Sequence, residues 1–112
     1  MKEGEIMPKY LIKANYVGEG VKGLIKEGGT KRRNLVEKMV TAMGGELEAF
    51  YYAFGETDLF AIVDMPDNVS IAAFNLAVAA SGSVSLNATV LLTPEEIDQA
   101  GKKVPRYRAP GK

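Results

Sequence analysis

The sequence predicts an α+β fold in which a four-stranded antiparallel sheet carries its main helices on one face. Residues 46–65 read as two strands joined by a tight turn over residues 55–58. One strand-like run and one helical run precede this hairpin, and one of each follows it. Right-handed crossovers then place both helices on the same side of the sheet, which is the ferredoxin-like βαββαβ arrangement.

The first part of the chain holds one strand and two helical segments. Residues 9–16 alternate as a strand does, and we expect the face that carries Ile12 to enter the core. Apolar residues recur at helical spacing from Val21, but the two glycines that begin residues 28–33 cost a helix about 2 kcal/mol relative to alanine. We therefore expect a helix break and a solvent-accessible connection there, with Thr30 capping the second helix.

The hairpin supplies the second and third strands. Alternation over residues 46–54 predicts Leu47 on one face and both Phe50 and Tyr52 on the other. Residues 59–63 are almost continuously apolar, as expected for an interior strand, so the tyrosine-rich strand should lie at an edge of the sheet.

The last part of the chain continues the pattern. Residues 70–80 form a helix that is apolar nearly all round, which is typical of a helix packed on more than one side. Residues 84–92 alternate as the fourth strand. Thr93, followed by proline and two glutamates, is a strong start for a short helix that should end near Gly101. We divide the chain into a flexible leader (1–7), one domain (8–101) and a basic, proline-containing tail (102–112).

Composition excludes several kinds of chemistry. The 112 residues include no cysteine and no histidine, so we expect no metal, and no cofactor is indicated. Acid–base chemistry would have to use Asp, Glu, Lys or Tyr. The start of the chain has no apolar run typical of a signal peptide, and no apolar run is long enough to span a bilayer, so a cytoplasmic location is expected.

Charge is unevenly distributed along this neutral chain. Residues 39–101 contain nine carboxylates and no Lys or Arg, whereas residues 102–112 carry five cations. Folding can neutralise these segments within one chain, or they can meet across an interface between subunits.

Several short segments resemble a known family. They are residues 8–12 (PKYLI), 19–24 (EGVKGL), 31–37 (KRRNLVE) and the turn 55–58 (GETD). Their order and spacing over residues 8–100 are similar to those of the GYD-domain family, although Thr57 stands where the family has an aromatic residue. The resemblance implies a ferredoxin-like fold of the dimeric α+β barrel type, in a family without an assigned function and without catalytic residues to transfer.

The open face of the predicted sheet is the first candidate site. Alternation places five polar side chains there, and together they would suit a small polar-aromatic molecule: Lys13, Asn15, Tyr52, Asn87 and Thr89. The same side chains could instead hydrogen-bond across a dimer interface. Because this face also carries apolar residues that need cover, we expect a homodimer or a higher assembly of dimers.

Three weaker candidates have structural alternatives. Thr30, Lys31 and Arg32 lie at a predicted helix start and could bind an anion, although a solvated basic face explains them as well. The carboxylates of the 55–58 turn could act as an acid–base pair, but Gly, Thr and Asp also suit a turn. The aromatic residues of the hairpin invite comparison with RNA-recognition modules, yet the edge position and the neutral charge argue against nucleic acid.

Two classes of function remain open. The first is a non-catalytic small-molecule-binding or assembly domain, which the absence of histidine and cysteine favours. The second is a cofactor-independent, monooxygenase-like enzyme of the dimeric α+β barrel type, which rests on analogy of fold. Neither a membrane nor a nucleic-acid partner is expected.

Overall fold

The computed structural model describes residues 7–112, so the predicted leader lies almost entirely outside the described residues. Eight elements follow one another in chain order: β1 (Lys9–Tyr16), α1 (Glu19–Glu27), α2 (Gly29–Ala42), β2 (Glu46–Tyr52), β3 (Leu59–Asp64), α3 (Asn68–Ala80), β4 (Val84–Leu91) and α4 (Pro94–Gly101).

The strands form one antiparallel sheet in the order β2-β3-β1-β4. Ile12 on the central strand β1 lies opposite Ala61 of β3 and Ala88 of β4. The predicted α+β class with a four-stranded antiparallel sheet is therefore confirmed, and β2 is an edge strand as expected.

The core lies between one face of this sheet and helices α2 and α3. Tyr10 and Val63 on the two central strands are 1% and 0% exposed. Val40 of α2 and the Ile71 and Phe74 side chains of α3 close the core from the helical side. The buried residues follow the two-residue period of a strand or the helical period, so each element buries one of its faces. Packing these faces together gives two layers, one of strands and one of helices.

The predicted break in the first helical region occurs at Gly28. Its φ of 91° is a left-handed conformation that suits glycine, and its backbone N–H donates to the Leu24 carbonyl at the end of α1. Gly28 also precedes α2, so the prediction that Thr30 caps this helix is wrong: Thr30 lies exposed inside it. The connection is only partly accessible, because Arg32 and Arg33 are half-buried.

A β-bulge corrects the predicted faces of β2. The pairing with β3 shifts register between Leu47 and Ala49, so Leu47 enters the core as expected. After the extra residue the alternation is inverted. Phe50 therefore packs against the core, whereas the sequence pattern placed it on the open face.

Two regions bury less than the sequence predicts. On α3, Val69 and Leu76 are 78% and 71% exposed, so this helix is packed on only one side. On β4, Val90 is exposed, although the alternation of this strand predicts it on the core face. Within residues 7–112, no helix is long and apolar enough to cross a membrane.

Candidate functional site

The main cleft opens between α1 and the end of the β2–β3 hairpin, on the helical side of the sheet. Its volume is about 420 Å³. It is lined by the end of β1, the inner side of α1, the start of α2 and the hairpin loop: Tyr16, Val21, Leu24, Gly29, Tyr52, Ala53, Phe54 and Asp58.

Two tyrosines form the polar edge of the main cleft. The Tyr52 hydroxyl donates to the Gly29 carbonyl at 3.0 Å. Burial raises the pKa of Tyr16 to about 12, and the neighbouring Tyr52 phenol contributes to the same shift. Burial also raises the pKa of Tyr52, while the neighbouring Tyr16 acts in the opposite direction.

Local sequence explains how this pair is assembled. The bulge in β2 turns Tyr52 to the helical side, where its ring lies against Gly29. A Cβ added at Gly29 would stand only 3.0 Å from the Tyr52 ring. Glycine at the start of α2 therefore leaves the space that the Tyr52 ring occupies. Phe50 contacts the Tyr52 ring edge-on, with centroids 5.4 Å apart, which fixes the orientation of the phenol.

Asp58 closes the cleft from the hairpin loop and also braces it. Its carboxylate accepts from the Tyr16 backbone N–H at 3.0 Å, and its own N–H donates to the Asn15 side chain at 2.9 Å. The Asp58 carbonyl accepts from the Ala53 N–H at 2.8 Å. The turn is thus tied to the end of β1, and one Asp58 oxygen is committed to the backbone.

A smaller cleft of about 210 Å³ lies on the other side of Tyr16 and Leu24. Arg32 and Glu27 line it and form a loose ion pair, 3.8 Å apart. Gly20 of α1 forms its floor and approaches the Ser83 carbonyl so closely that a Cβ at Gly20 would collide with it.

The main cleft presents more acceptors than donors on its polar edge. The Tyr52 proton is used within the chain, whereas both hydroxyl oxygens keep lone pairs. The second carboxylate oxygen of Asp58 is a further acceptor. The opposite wall is apolar and includes Leu24 and the fully exposed ring of Phe54. This arrangement can bind a molecule that has an apolar body and an O–H or N–H group.

The structure does not bring the five predicted open-face residues together. Lys13 and Asn87 lie opposite each other on β1 and β4, and Thr89 lies opposite Leu11 on the same face. Asn15 is occupied as the acceptor for the Asp58 N–H. The placement of Tyr52 on this face is wrong, because the β2 bulge turns it to the helical side.

The predicted anion site is likewise dispersed. Thr30 and Lys31 are exposed on the first turn of α2, while Arg32 turns toward Glu27 and the smaller cleft. These three residues therefore do not converge on one point within the described structure.

Sequence reasoning missed the part of the main cleft that belongs to Tyr16 and Leu24. Alternation places Tyr16 on the same face of β1 as Ile12, which is the core face, and this is correct. Because Tyr16 is the last residue of the strand, however, it lies beside the cleft and is only partly buried. An aromatic residue that ends a strand just before a short helix, with a glycine pair following that helix, is the signal that could have indicated a cleft.

The chain belongs to the GYD domain family. The family model of the GYD domain matches residues 10–100, which include every strand from Tyr10 onward and all residues of both clefts. No curated protein and no solved structure matches the chain.

Proposed function

We propose that this GYD domain is a non-catalytic binding domain for a small aromatic molecule with a hydroxyl or amino group, held in the main cleft. The observation that carries the proposal is the pairing of an apolar wall with a polar edge on which acceptors outnumber donors, because the Tyr52 proton is already used. Such an edge favours a ligand that donates a hydrogen bond over one that only accepts.

Size and surface chemistry support an aromatic ligand. The volume of about 420 Å³ is within the range of roughly 300–1,000 Å³ that is usual for small-molecule pockets. Phe54 is fully exposed at the cleft mouth, and Val21 is 46% exposed beside it. A planar ring placed between these side chains and the two phenols would cover apolar surface at both ends of the cleft.

The ionisable groups of the cleft support binding rather than catalysis. Tyr16, with a pKa raised to about 12, remains protonated near neutral pH and does not act as a base. The Asp58 carboxylate holds a backbone amide of β1. No histidine or cysteine exists in the chain to supply another base or a nucleophile.

We further propose a ferredoxin-like fold that assembles as a dimer of the α+β barrel type through the open sheet face. The strand order β2-β3-β1-β4 and the position of α2 and α3 on one side support this topology. The open face carries an apolar strip that includes Tyr51, Phe60 and Ile62, which lie on the side opposite the core. A second sheet would remove this strip from water.

The open face also carries charges suited to the rim of an interface. Lys9 contacts Glu48 at 2.6 Å and Asp64 at 2.8 Å. The hydrogen bond to Asp64, followed by that to Glu48, raises the pKa of Lys9. The cluster would therefore stay charged and paired at the edge of the apolar strip.

A titration with matched ligands tests the binding proposal. Phenol and anisole differ in the hydroxyl donor, so isothermal or NMR titration should show phenol binding at least about fivefold more tightly, the equivalent of one hydrogen bond of about 1 kcal/mol. Equal affinity for the two compounds, or no binding of either at millimolar concentration, would contradict the proposal.

A pair of tyrosine variants provides the control on the protein side. Tyr52→Phe removes the hydroxyl that donates to the Gly29 carbonyl at the polar edge and should weaken phenol binding. Tyr51→Phe removes a hydroxyl on the other face, from a residue that is 71% exposed, and should leave phenol binding unchanged. Conversion of a bound phenol to an oxidised product in the presence of oxygen would instead support the alternative, a cofactor-independent monooxygenase-like enzyme.

A further inference from the structure

The chain leaves the body of the domain after β4. We call residues 92–112 the C-terminal arm; they comprise α4, its two preceding residues and the basic tail. Every residue from Pro94 onward is exposed, and α4 makes no substantial packing contact with any other described helix or strand. The radius of gyration is 17.3 Å, against about 13 Å for a compact domain of this length.

The arm carries features of a segment that packs against something. Helix α4 has a complete capping box between Thr93 and Glu96. Leu92 and Ile97 occupy the two positions of a hydrophobic staple. Yet an isolated helix of 8 residues is well below the roughly 12–15 residues that are marginally stable in water. Helix α4 therefore needs a tertiary contact that its own domain does not provide.

The apolar side chains of the arm are correspondingly uncovered. Ile97, Val104 and Tyr107 are 54%, 71% and 78% exposed. They are spaced along the whole arm, so their cover must be a surface of similar length.

Charge indicates what that surface is. The tail carries Lys102, Lys103, Arg106, Arg108 and Lys112, none of which forms an ion pair with another residue of the 7–112 range. Residues 39–93 carry six carboxylates and no cation. Three of these carboxylates are exposed along edge strand β2 and its following loop, which we call the acidic edge: Glu46, Glu48 and Glu56. Glu48 is already paired with Lys9, so Glu46 and Glu56 are the carboxylates of this edge that have no cation partner within residues 7–112.

We propose that the arm docks on the acidic edge of a second copy of this chain, and reciprocally in a two-fold dimer. The arm begins at β4, and β2 lies at the opposite edge of the sheet, about 14 Å away at the usual strand spacing. The tail is long enough to reach its own acidic edge, but the arm makes no substantial packing contact with its own sheet within residues 7–112, so we assign the contact to the edge of a neighbour. The 11 tail residues span at most about 36–40 Å when extended, enough to follow a β2 strand of about 24 Å.

This inference rests on the self-association proposed above and adds a specific contact to it. The unpaired outer edge of β2 also offers backbone groups to an incoming segment, as edge strands do. The exposed apolar side chains of the arm would be covered in the same contact.

Zero-length cross-linking tests the contact directly. A carbodiimide joins a lysine to a carboxylate only where they touch, and a mixture of ¹⁵N-labelled and unlabelled full-length chains distinguishes cross-links between copies from those within one. We expect mixed-isotope cross-links from Lys102 or Lys103 to Glu46 or Glu56. Cross-links confined to single chains, or directed to other carboxylates, would overturn the proposal.

Sedimentation equilibrium of full-length variants measures what the arm contributes. Ile97→Ser combined with Val104→Ser should raise the dimer dissociation constant at least tenfold, whereas the control Val69→Ser, equally exposed on α3, should leave it unchanged. An unchanged dissociation constant in the arm variant would refute arm docking. An equal rise in the dissociation constant of the Val69→Ser control would refute it as well.

The sheet face is tested separately in the same assay. Tyr51→Glu places a charge on the apolar strip and should dissociate the dimer if the sheet face is its main interface. If Tyr51→Glu dissociates the dimer while the arm variant does not, the sheet-face dimer stands and arm docking fails. If the unaltered chain is a monomer at micromolar concentration, both fail, and phenol binding in the main cleft is judged on its own titration.

Discussion

Two glycines on helix α1 provide a sharp test of the structure, because the same substitution should have opposite effects three residues apart. A Cβ at Gly20 would collide with the Ser83 carbonyl, while a Cβ at Gly23 meets no atom within 4 Å. The Ser83 carbonyl cannot move freely, since it also accepts from the Val17 N–H at 3.0 Å. This contact joins the end of β1 to the start of β4.

The magnitudes follow from these surroundings. Gly23→Ala should stabilise the domain by about 0.5–1 kcal/mol, the usual helix preference of alanine over glycine. Gly20→Ala gains the same preference but must displace backbone, which costs about 1–3 kcal/mol or more for overpacking. We expect a net loss of about 2 kcal/mol and a separation of about 3 kcal/mol between the two variants.

Urea denaturation at one fixed protein concentration measures both variants. The concentration must be fixed because association shifts apparent stability. The midpoints should move in opposite directions with similar slopes. If both variants are stabilised, α1 does not lie against the Ser83 backbone, and the geometry of both clefts would need revision.

Two further predictions concern the tyrosine pair and the hairpin brace. Spectrophotometric titration should detect one tyrosine that ionises near pH 12, and Tyr52→Phe should lower its pKa while burial keeps it above 10. Because the folded pKa of Tyr16 is above its unfolded value of 10.0, its contribution is complete below pH 10 and is lost as pH rises toward 12, amounting to about 2 kcal/mol; a flat stability profile over that range would contradict the assignment. Asn15→Ala removes the acceptor for the Asp58 N–H and should cost about 1 kcal/mol, since the Ala14 carbonyl also accepts from that N–H at 3.1 Å. Asn87→Ala, exposed on the same sheet face, should stay within about 0.5 kcal/mol of the unaltered chain in the same urea assay, so equal losses would refute the brace.

The order of elements was predictable because each signal is local. Alternation on β1, the glycine break after α1 and the capping box at Thr93 depend on a few neighbouring residues, and the structure agrees with all three. The four-stranded antiparallel sheet follows from that order and from the preferred handedness of crossovers.

The candidate site was not predictable in the same way. One extra residue at the β2 bulge moves every later side chain of the strand to the opposite face of the sheet. Residues 47–49, where the bulge lies, include no glycine or other residue type that would indicate a bulge in the sequence. Tyr52 was consequently placed on the wrong face, and the cleft that it forms with Tyr16 was missed. The exposure of the arm was not predictable either. The sequence of a capped amphipathic helix does not indicate whether its apolar face packs against its own domain or against another molecule.

Amide chemical-shift mapping of the full-length ¹⁵N-labelled chain during a phenol titration tests the central claim most directly. We predict that the largest shifts fall on the main cleft, at Tyr16, Leu24, Gly29 and Ala53. The open sheet face, represented by Lys13, Asn87 and Thr89, should change little. Shifts confined to the sheet face, or no saturable shifts at all, would contradict a binding site on the helical side.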